Sequence, residues 1–221
     1  MTHTITIRSR RAILGTAAVA VLGLAFEVLV LVQEGWRNAA LSLPWPVVVT
    51  AFSAWLWMWP RLTLAPGGAR IRNHFRQIDI PWSQLTEARS DLGLYLWVGT
   101  KKYFSAAPPA RGGLRASSLR KNPPAAPVID DTQRAHHVVD TEPVVAAQIV
   151  AQELEDHRHP ERREPVPSRA RALNEQFLAE HPIPRDLDQD FPTAVAIRWI
   201  PWPALGVLAL LGIAVLATAA L

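Results

Sequence analysis

A long apolar segment of this chain runs directly into a short pattern of alternating apolar and polar residues, and no linker separates the two. The stretch Ala54–Asn73 reads AWLWMWPRLTLAPGGARIRN. Its apolar part ends in Trp55, Trp57 and Trp59, and tryptophan is enriched where a membrane helix meets water. The alternation that follows Pro60 is typical of a half-buried strand. The sequence therefore predicts a β-domain that lies directly beside a membrane.

Three apolar segments are long enough to cross a bilayer core of about 30 Å. They cover residues 12–32, 43–59 and 200–221. Three arginines precede the first segment, as they would in a signal peptide. Its apolar run is too long for a signal segment, however, and no small-residue cleavage pattern follows it. We therefore interpret residues 12–59 as an uncleaved transmembrane hairpin and residues 200–221 as a third transmembrane helix.

The distribution of basic residues predicts the orientation of these helices. The tail of residues 1–11 carries three arginines, whereas the connection Gln33–Ser42 carries only Arg37, which Glu34 offsets. Because positively charged segments stay in the cytoplasm, the tail and residues 60–199 are predicted to be cytoplasmic and the C-terminus to be outside. The Ala-, Arg- and Pro-rich composition is typical of a high-GC bacterium. We therefore expect a multi-pass protein of a bacterial plasma membrane.

The region that follows the hairpin is predicted to be a small antiparallel sheet with a covering helix. Alternation predicts strands at Arg61–Ala65, Ala69–His74, Arg76–Trp82, Glu87–Asp91, Leu94–Val98 and Lys102–Ala106. In the third of these, Ile78, Ile80 and Trp82 are predicted to lie on one face, and Gln77 and Asp79 on the other. So small a sheet needs a cover. A helix with one apolar stripe, capped by Asp140 or Thr141, is predicted to supply it.

Two further segments complete the predicted organisation of an α+β membrane protein. Residues 108–131 are rich in Pro, Ala, Ser and Arg and lack periodicity, so we expect a disordered insertion there. The cytoplasmic domain is then predicted to span residues 60–157. Residues 158–199 are predicted to be a linker that contains an amphipathic helix at residues 168–181.

The strand pattern, the Gly-Gly turn, the Ile-Pro-Trp sequence after a basic hairpin and the following amphipathic helix together resemble the bacterial pleckstrin-homology-like (PH-like) family. The likeness is to small membrane proteins of the mycobacterial low-molecular-weight protein antigen type. It is carried by Pro60–Leu64, Gly67-Gly68, Arg70–Arg76, Ile80-Pro81-Trp82 and Tyr95–Ala107. In that family a membrane hairpin commonly precedes the domain, as it does here. The resemblance implies a PH-like β-domain at a membrane, and the residues that carry it contain no catalytic signature. The insertion and the third helix depart from the family pattern.

Five basic residues of the predicted domain are candidate contacts for anionic lipid head groups. They are Arg70, Arg72 and Arg76 around the second and third strands, and Lys101 and Lys102 on a later turn. Each cation near an anionic bilayer contributes about 1 kcal/mol to membrane attraction. The alternative is an ordinary solvated strand face with no ligand.

Glu27 is a carboxyl group inside the first predicted span, and such a group is by default a candidate functional site. One interpretation is a proton relay, and another is a neutral carboxyl that bonds to Thr50 or Ser53 across the hairpin. A relay needs a chain of exchangeable groups, and no second ionisable residue lies in any span. We therefore favour packing or contact with a membrane partner, with Glu27 and Thr50 as the candidate contact residues.

Other chemistries have little support in the sequence. There is no cysteine, which excludes disulfides and thiolate sites. The pairs His136-His137 and His157/His159 fall short of the three or four ligands of a zinc site, so no metal or cofactor is predicted. Basic residues are scattered among acids, which argues against nucleic acid as a partner. No phosphate loop, nucleophile elbow or HExxH motif indicates an enzyme.

The sequence therefore predicts a non-enzymatic, membrane-anchored interaction module or accessory subunit of a membrane or envelope complex. Its expected partners are membrane lipids and one or more membrane proteins. The alternative is a sensor of anionic lipid head groups at the inner leaflet. An enzyme or transport component with chemistry at Glu27 is the least favoured interpretation.

Overall fold

A computed structural model of the chain describes residues 4–90, 93–108, 136–139, 141–159, 161 and 191–219. Apart from Pro108, the insertion predicted at residues 108–131 lies outside the described residues, as do the amphipathic helix predicted at 168–181 and the proposed cap Asp140. The chain divides into two compact units. The sheet unit comprises Met1–Arg8, Arg61–Asn73 and Gln77–Arg198, and the helical unit comprises Ser9–Pro60, His74–Arg76 and Trp199–Leu221.

The helical unit contains three helical segments that are long and apolar enough to cross a membrane. They are Arg11–Glu34, Trp36–Met58 and Trp202–Ala219. Their component helices are α1 (Arg10–Glu34), α2 (Trp36–Ser42), α3 (Pro44–Met58) and α5 (Trp202–Ala219). Large aliphatic side chains along them are exposed, among them Leu14 at 71% and Leu216 at 72%. The three predicted segments are therefore confirmed as helices of membrane-spanning length.

Helices α1 and α3 pack closely because α1 carries glycine where α3 approaches it. A Cβ atom added at Gly23 would lie 2.8 Å from the Cβ of Pro46, and one at Gly15 would lie 3.1 Å from the ring of Trp57. Small residues at such positions allow two membrane helices to approach each other.

The connection inside the hairpin is shorter than the sequence predicts. Residues 33–42 were expected to form a loop, but most of them belong to α1 and α2. The break between those helices is Gly35, whose φ of 84° suits glycine. Leu43, between α2 and α3, is itself helical in backbone conformation, and Pro44 occupies a first-turn position that tolerates proline. The chain therefore reverses at a single glycine.

The sheet unit is built from two sheets and one helix. Its strands are β1 (Thr4–Ile7), β2 (Arg61–Ala65), β3 (Gly68–Arg72), β4 (Arg76–Pro81), β5 (Glu87–Ser90), β6 (Leu94–Val98), β7 (Lys101–Ser105), β8 (His136–Val139) and β9 (Ala196–Trp199). The larger sheet has the order β8-β1-β2-β3-β4-β9, and the smaller has the order β5-β6-β7. Strands β1 to β4 are antiparallel neighbours, as are β5 to β7, while β8 pairs in parallel with β1. The predicted α+β class with antiparallel sheets is confirmed, and the six predicted strands correspond to β2–β7.

Strand β1 was not predicted, because its residues were assigned to the N-terminal tail. It pairs with β2 so that Ile5 faces Leu64 and Ile7 faces Leu62 across the ladder. Both isoleucines are 0% exposed. The strand that precedes the hairpin and the strand that follows it are therefore neighbours in one sheet.

The core lies between one face of the larger sheet, the inner face of the smaller sheet and helix α4 (Pro143–Arg158). Its largest fully buried apolar side chains are Ile5, Ile7, Leu62, Leu64, Ile71, Ile80, Leu85, Leu94, Leu96 and Val150. Burial of one such side chain contributes about 1.5–3 kcal/mol. Helix α4 is the predicted cover. It begins at Pro143 with Glu142 as its N-cap, one residue beyond the predicted Thr141.

Candidate functional site

Arg70, one of the predicted lipid contacts, is held in an ion pair within the larger sheet. Its Nε lies 2.7 Å from Asp79 Oδ1, and the two side chains are 15% and 1% exposed. Strand register places these residues opposite each other. The amide of Gln77 donates to both carboxylate oxygens of Asp79, at 3.3 and 3.2 Å. Asp79 lies on the face opposite Ile78 and Ile80, as the alternation predicts, and that face is itself covered, since Asp79 is 0% exposed.

The ion pair is part of a buried polar row on that second face. Register aligns Thr6, Thr63, Arg70 and Asp79 across four strands. The two threonine hydroxyls lie 3.5 Å apart, and both residues are buried. The ring of Phe191 lies beside the Arg70 end of the row, with its centroid 5.2 Å from the guanidinium carbon of Arg70. Arg70 is therefore a structural residue whose charge is offset inside the fold.

The remaining basic residues are distributed over separate elements. Arg72 is half-buried at the end of β3, opposite Gln77. Lys101 and Lys102 are exposed at the start of β7. Arg76 belongs to the helical unit, where its guanidinium carbon lies 4.3 Å from the ring centroid of Trp199.

The outward side of the smaller sheet presents a ladder of aromatic and charged side chains, which we call the aromatic face. It comprises Glu87, Arg89, Tyr95, Trp97, Lys102 and Phe104. Register aligns Arg89, Tyr95 and Phe104 in one row and Glu87, Trp97 and Lys102 in the next. Strand alternation directs Leu94 and Leu96 to the other side, into the core. The side chains of the aromatic face therefore lie on the side of the smaller sheet that does not pack on the core.

Rings and cations interleave on the aromatic face. The rings of Tyr95 and Phe104 have centroids 5.4 Å apart. Arg89 lies over Trp97 at 5.6 Å, and the Lys102 ammonium lies over Tyr95 at 5.4 Å. Phe104 remains 44% exposed. Such rings offer large apolar contact area, and the cations next to them can bind carboxylates.

Within the aromatic face, the single acid is already paired. Arg89 Nε donates a hydrogen bond to Glu87 Oε1, and this bond lowers the pKa of Glu87 below its ordinary value of 4.5. Glu87 is therefore ionised at neutral pH and offsets Arg89. Lys102 and the adjacent Lys101 give the face a surplus of positive charge.

Sequence reasoning selected two lysines here but not the aromatic residues. Tyr95, Trp97 and Phe104 are scattered over two strands, and only the register of β6 against β7 brings them together. The signal that was available is alternation. In Leu94–Val98 it separates the buried leucines from the aromatic residues at positions 95 and 97.

Glu27 is buried within the helical unit, at 8% exposure. Its Oε2 accepts a hydrogen bond from the Ser42 hydroxyl at 3.0 Å. The predicted partners were Thr50 and Ser53, but the Ser53 hydroxyl donates to the Val49 carbonyl at 2.8 Å. Ser42 was missed because its segment was expected to be a loop. Glu27 Oε1 is buried and has no hydrogen-bond partner in the part of the chain that the structure describes.

The histidines His157 and His159 have local partners. The ring of His157 lies 6.2 Å from that of Trp82, and His159 Nδ1 lies 3.0 Å from Glu161 Oε1. Among the residues that the structure describes, no group of three or more His, Asp or Glu side chains is placed to hold a metal ion.

Comparison of the chain with models of protein families, with curated proteins and with solved structures found no match. The function proposed for this chain therefore rests on its own residues and their geometry.

Proposed function

We propose that this protein is a non-enzymatic, membrane-anchored interaction module, an accessory subunit of a complex in a bacterial plasma membrane. The observation that carries the proposal is the aromatic face. Tyrosine, tryptophan and arginine are the residues that dominate the energetics of protein interfaces. Tyr95, Trp97 and Arg89 lie together on one side of a sheet whose core is on the other side.

The surplus positive charge of the aromatic face favours a negatively charged partner. Glu87 is offset by Arg89, so Lys101 and Lys102 remain to bind negative groups. The partner is therefore an acidic segment of another protein, with apolar side chains that pack on Phe104 and Tyr95. Complementary charge of this kind accelerates association and fixes the partner's register.

The sheet order supports a membrane topology for the module. Strand β1 precedes α1 and β2 follows α3, and the two strands pair. If the two hairpin segments cross the membrane, both ends of the hairpin emerge on the same side. Strand β9 belongs to the same sheet and precedes α5, so α5 starts from that side too. The arginine-rich N-terminal segment assigns this side to the cytoplasm and the C-terminus to the outside.

The order of elements also supports the proposed PH-like fold. Antiparallel strands β2–β4 are followed by antiparallel β5–β7, and after the edge strand β8 by α4, which packs on the core that the two sheets share. This is the arrangement that the resemblance in the sequence implies.

A second candidate function is the sensing of anionic lipid head groups. Its support is the exposure of Lys101, Lys102 and Arg76. Arg70 contributes less than the sequence suggests, since Asp79 offsets its charge. Fewer free cations make this function the weaker of the two.

The interaction proposal is tested by photo-crosslinking of the full chain in its native membrane. A photoreactive amino acid replaces Phe104 on the aromatic face, and in the control it replaces Ile197, which is 50% exposed on β9. We expect one discrete crosslinked protein from position 104 and none from position 197. Mass spectrometry should place the crosslink in an acidic segment.

A charge variant completes the test. Lys102→Glu should reduce the crosslink at position 104 about tenfold, which corresponds to about 1.4 kcal/mol of binding. The proposal is wrong if position 104 yields only lipid adducts, or if positions 104 and 197 give the same products. Loss of binding to anionic vesicles in Lys101→Glu/Lys102→Glu, without any protein crosslink, would favour the lipid sensor.

A further inference from the structure

The bend between β3 and β4 belongs to the helical unit. This β3–β4 tip, His74-Phe75-Arg76, clusters with helix α3 and with the entrance to α5. The indole N–H of Trp55 donates to the His74 carbonyl at 3.4 Å, and His74 Nε2 lies 2.8 Å from the Leu56 carbonyl. The backbone N–H of Ile200 donates to the Phe75 carbonyl at 2.7 Å. Hydrogen bonds therefore hold the tip to both helical segments.

These contacts fix the depth of the β3–β4 tip along the helices. Trp55 and Leu56 lie in the last turn of α3, which ends at Met58, and Ile200 lies just before α5 begins at Trp202. With a rise of 1.5 Å per residue, Leu56 is only about 3 Å from the end of its helix. If α3 and α5 cross a bilayer, the tip lies at the level where the hydrocarbon meets the head groups.

The side chains at the tip have the composition of that boundary. The Trp55 ring makes edge contacts with the rings of Phe75 at 5.2 Å and His74 at 5.7 Å. The Arg76 guanidinium lies over Trp199. Yet Phe75 is 45% exposed and Trp199 is 65% exposed, so much apolar surface is left uncovered. Aromatic rings and an arginine with a long apolar stem are the side chains that occupy a lipid–water interface.

We propose that the β3–β4 tip is a lipid-binding anchor in the inner leaflet. Phe75 enters the boundary between head groups and acyl chains, and Arg76 binds the phosphate of an anionic phospholipid. The guanidinium carbon of Arg76 lies 4.3 Å from the centroid of the Trp199 ring, and a guanidinium can donate two parallel N–H groups to phosphate oxygens. The anchor rests on the proposed membrane placement of α3 and α5 and is independent of the partner protein proposed for the aromatic face.

The absence of native cysteine permits a direct measurement of depth. A nitroxide label is attached to Phe75→Cys or to Lys101→Cys in the full chain, reconstituted in vesicles of phosphatidylcholine and phosphatidylglycerol. We expect the label at position 75 to be more accessible to oxygen than to a water-soluble nickel chelate. The label at position 101 should show the reverse. The anchor is wrong if both labels prefer nickel. It is also wrong if the label at position 75 is shielded from both reagents, since protein would then cover it.

A second set of variants tests the phosphate contact even if Phe75→Cys disturbs the tip. Phosphatidylglycerol is titrated into the detergent-solubilised protein, and the rise in Tm reports binding. Arg76→Gln should weaken phosphatidylglycerol binding about fivefold, and Arg76→Lys should weaken it less. Equal binding by Arg76→Gln and the wild type overturns the phosphate contact. A Tm rise of the same size with inorganic phosphate alone would show a site for a soluble anion and overturn the assignment to lipid.

Discussion

At the scale of single residues, Arg70 shows how a basic residue that the sequence suggests for ligand binding can instead form an ion pair inside the fold, here with Asp79. The ion pair is 2.7 Å long, Phe191 lies beside the Arg70 guanidinium, and the Gln77 amide donates to both oxygens of the Asp79 carboxylate. Burying a charge away from water costs free energy, so removal of one partner of a buried ion pair leaves the other charge uncompensated and destabilises the fold. Alternation predicts which side of a strand Asp79 occupies. It carries no information on what covers that side.

Asp79→Ala is expected to destabilise the sheet unit strongly. The substitution leaves the mostly buried guanidinium of Arg70 without its carboxylate, which should cost about 3 kcal/mol of the free energy of unfolding. Asp79→Asn keeps an acceptor for Arg70 and should cost less. The free energy of unfolding is measured by chemical unfolding of the full chain in detergent, with tryptophan fluorescence as the signal.

The exposed pair between Arg89 and Glu87 supplies the matched control. Its side chains are 57% and 46% exposed, so water screens the attraction. Glu87→Ala should leave the unfolding midpoint unchanged within error. Equal midpoints for Asp79→Ala and Glu87→Ala would contradict the structural role assigned to Asp79.

At the scale of elements, the sequence predicts what has a local signal. Alternation of apolar and polar residues predicts strands β2–β7, and apolar residues at helical spacing predict α4. Strand β1 also alternates, as Thr-Ile-Thr-Ile, but four residues before a membrane-length helix resemble a tail. Its partner Leu64 lies beyond two intervening helical segments. Phe191, which packs on Gly67 from far along the chain, has no local signal at all.

Ile5→Ala tests whether β1 is an integral strand. Ile5 is 0% exposed and lies in the core with Leu64, so truncation should leave a cavity and cost about 2–5 kcal/mol. Ile197→Ala makes the same chemical change on β9 at a position that is 50% exposed. It should cost far less. The free energy of unfolding of both variants is measured by chemical unfolding in detergent. If Ile5→Ala lowers it by as little as Ile197→Ala does, β1 does not stabilise the sheet.

At the scale of the whole molecule, the aromatic face illustrates why the candidate site was only partly predictable. Isolated charges such as Lys101 and Lys102 stand out in a sequence. A binding face instead depends on the register of three strands, which sets Arg89 beside Tyr95 and Tyr95 beside Phe104. Composition identifies the helices of membrane-spanning length because apolar length is a property of one segment. A surface shared by several strands has no such one-dimensional signature.

The sheet order makes a strong prediction about topology, because β1, β2 and β9 belong to one sheet while the membrane-length helices lie between and after them along the chain. Single cysteines are introduced at Arg37, at Lys101 and after the last residue, and intact bacterial cells are treated with a membrane-impermeant maleimide. We expect labelling at position 37 and at the C-terminus, and labelling at position 101 only after lysis. Labelling at position 101 alone would invert the orientation derived from the arginines. If neither the C-terminus nor position 101 is labelled in intact cells, α5 does not cross the membrane. A lipid-bound β3–β4 tip would then have to lie beside a helix on the membrane surface.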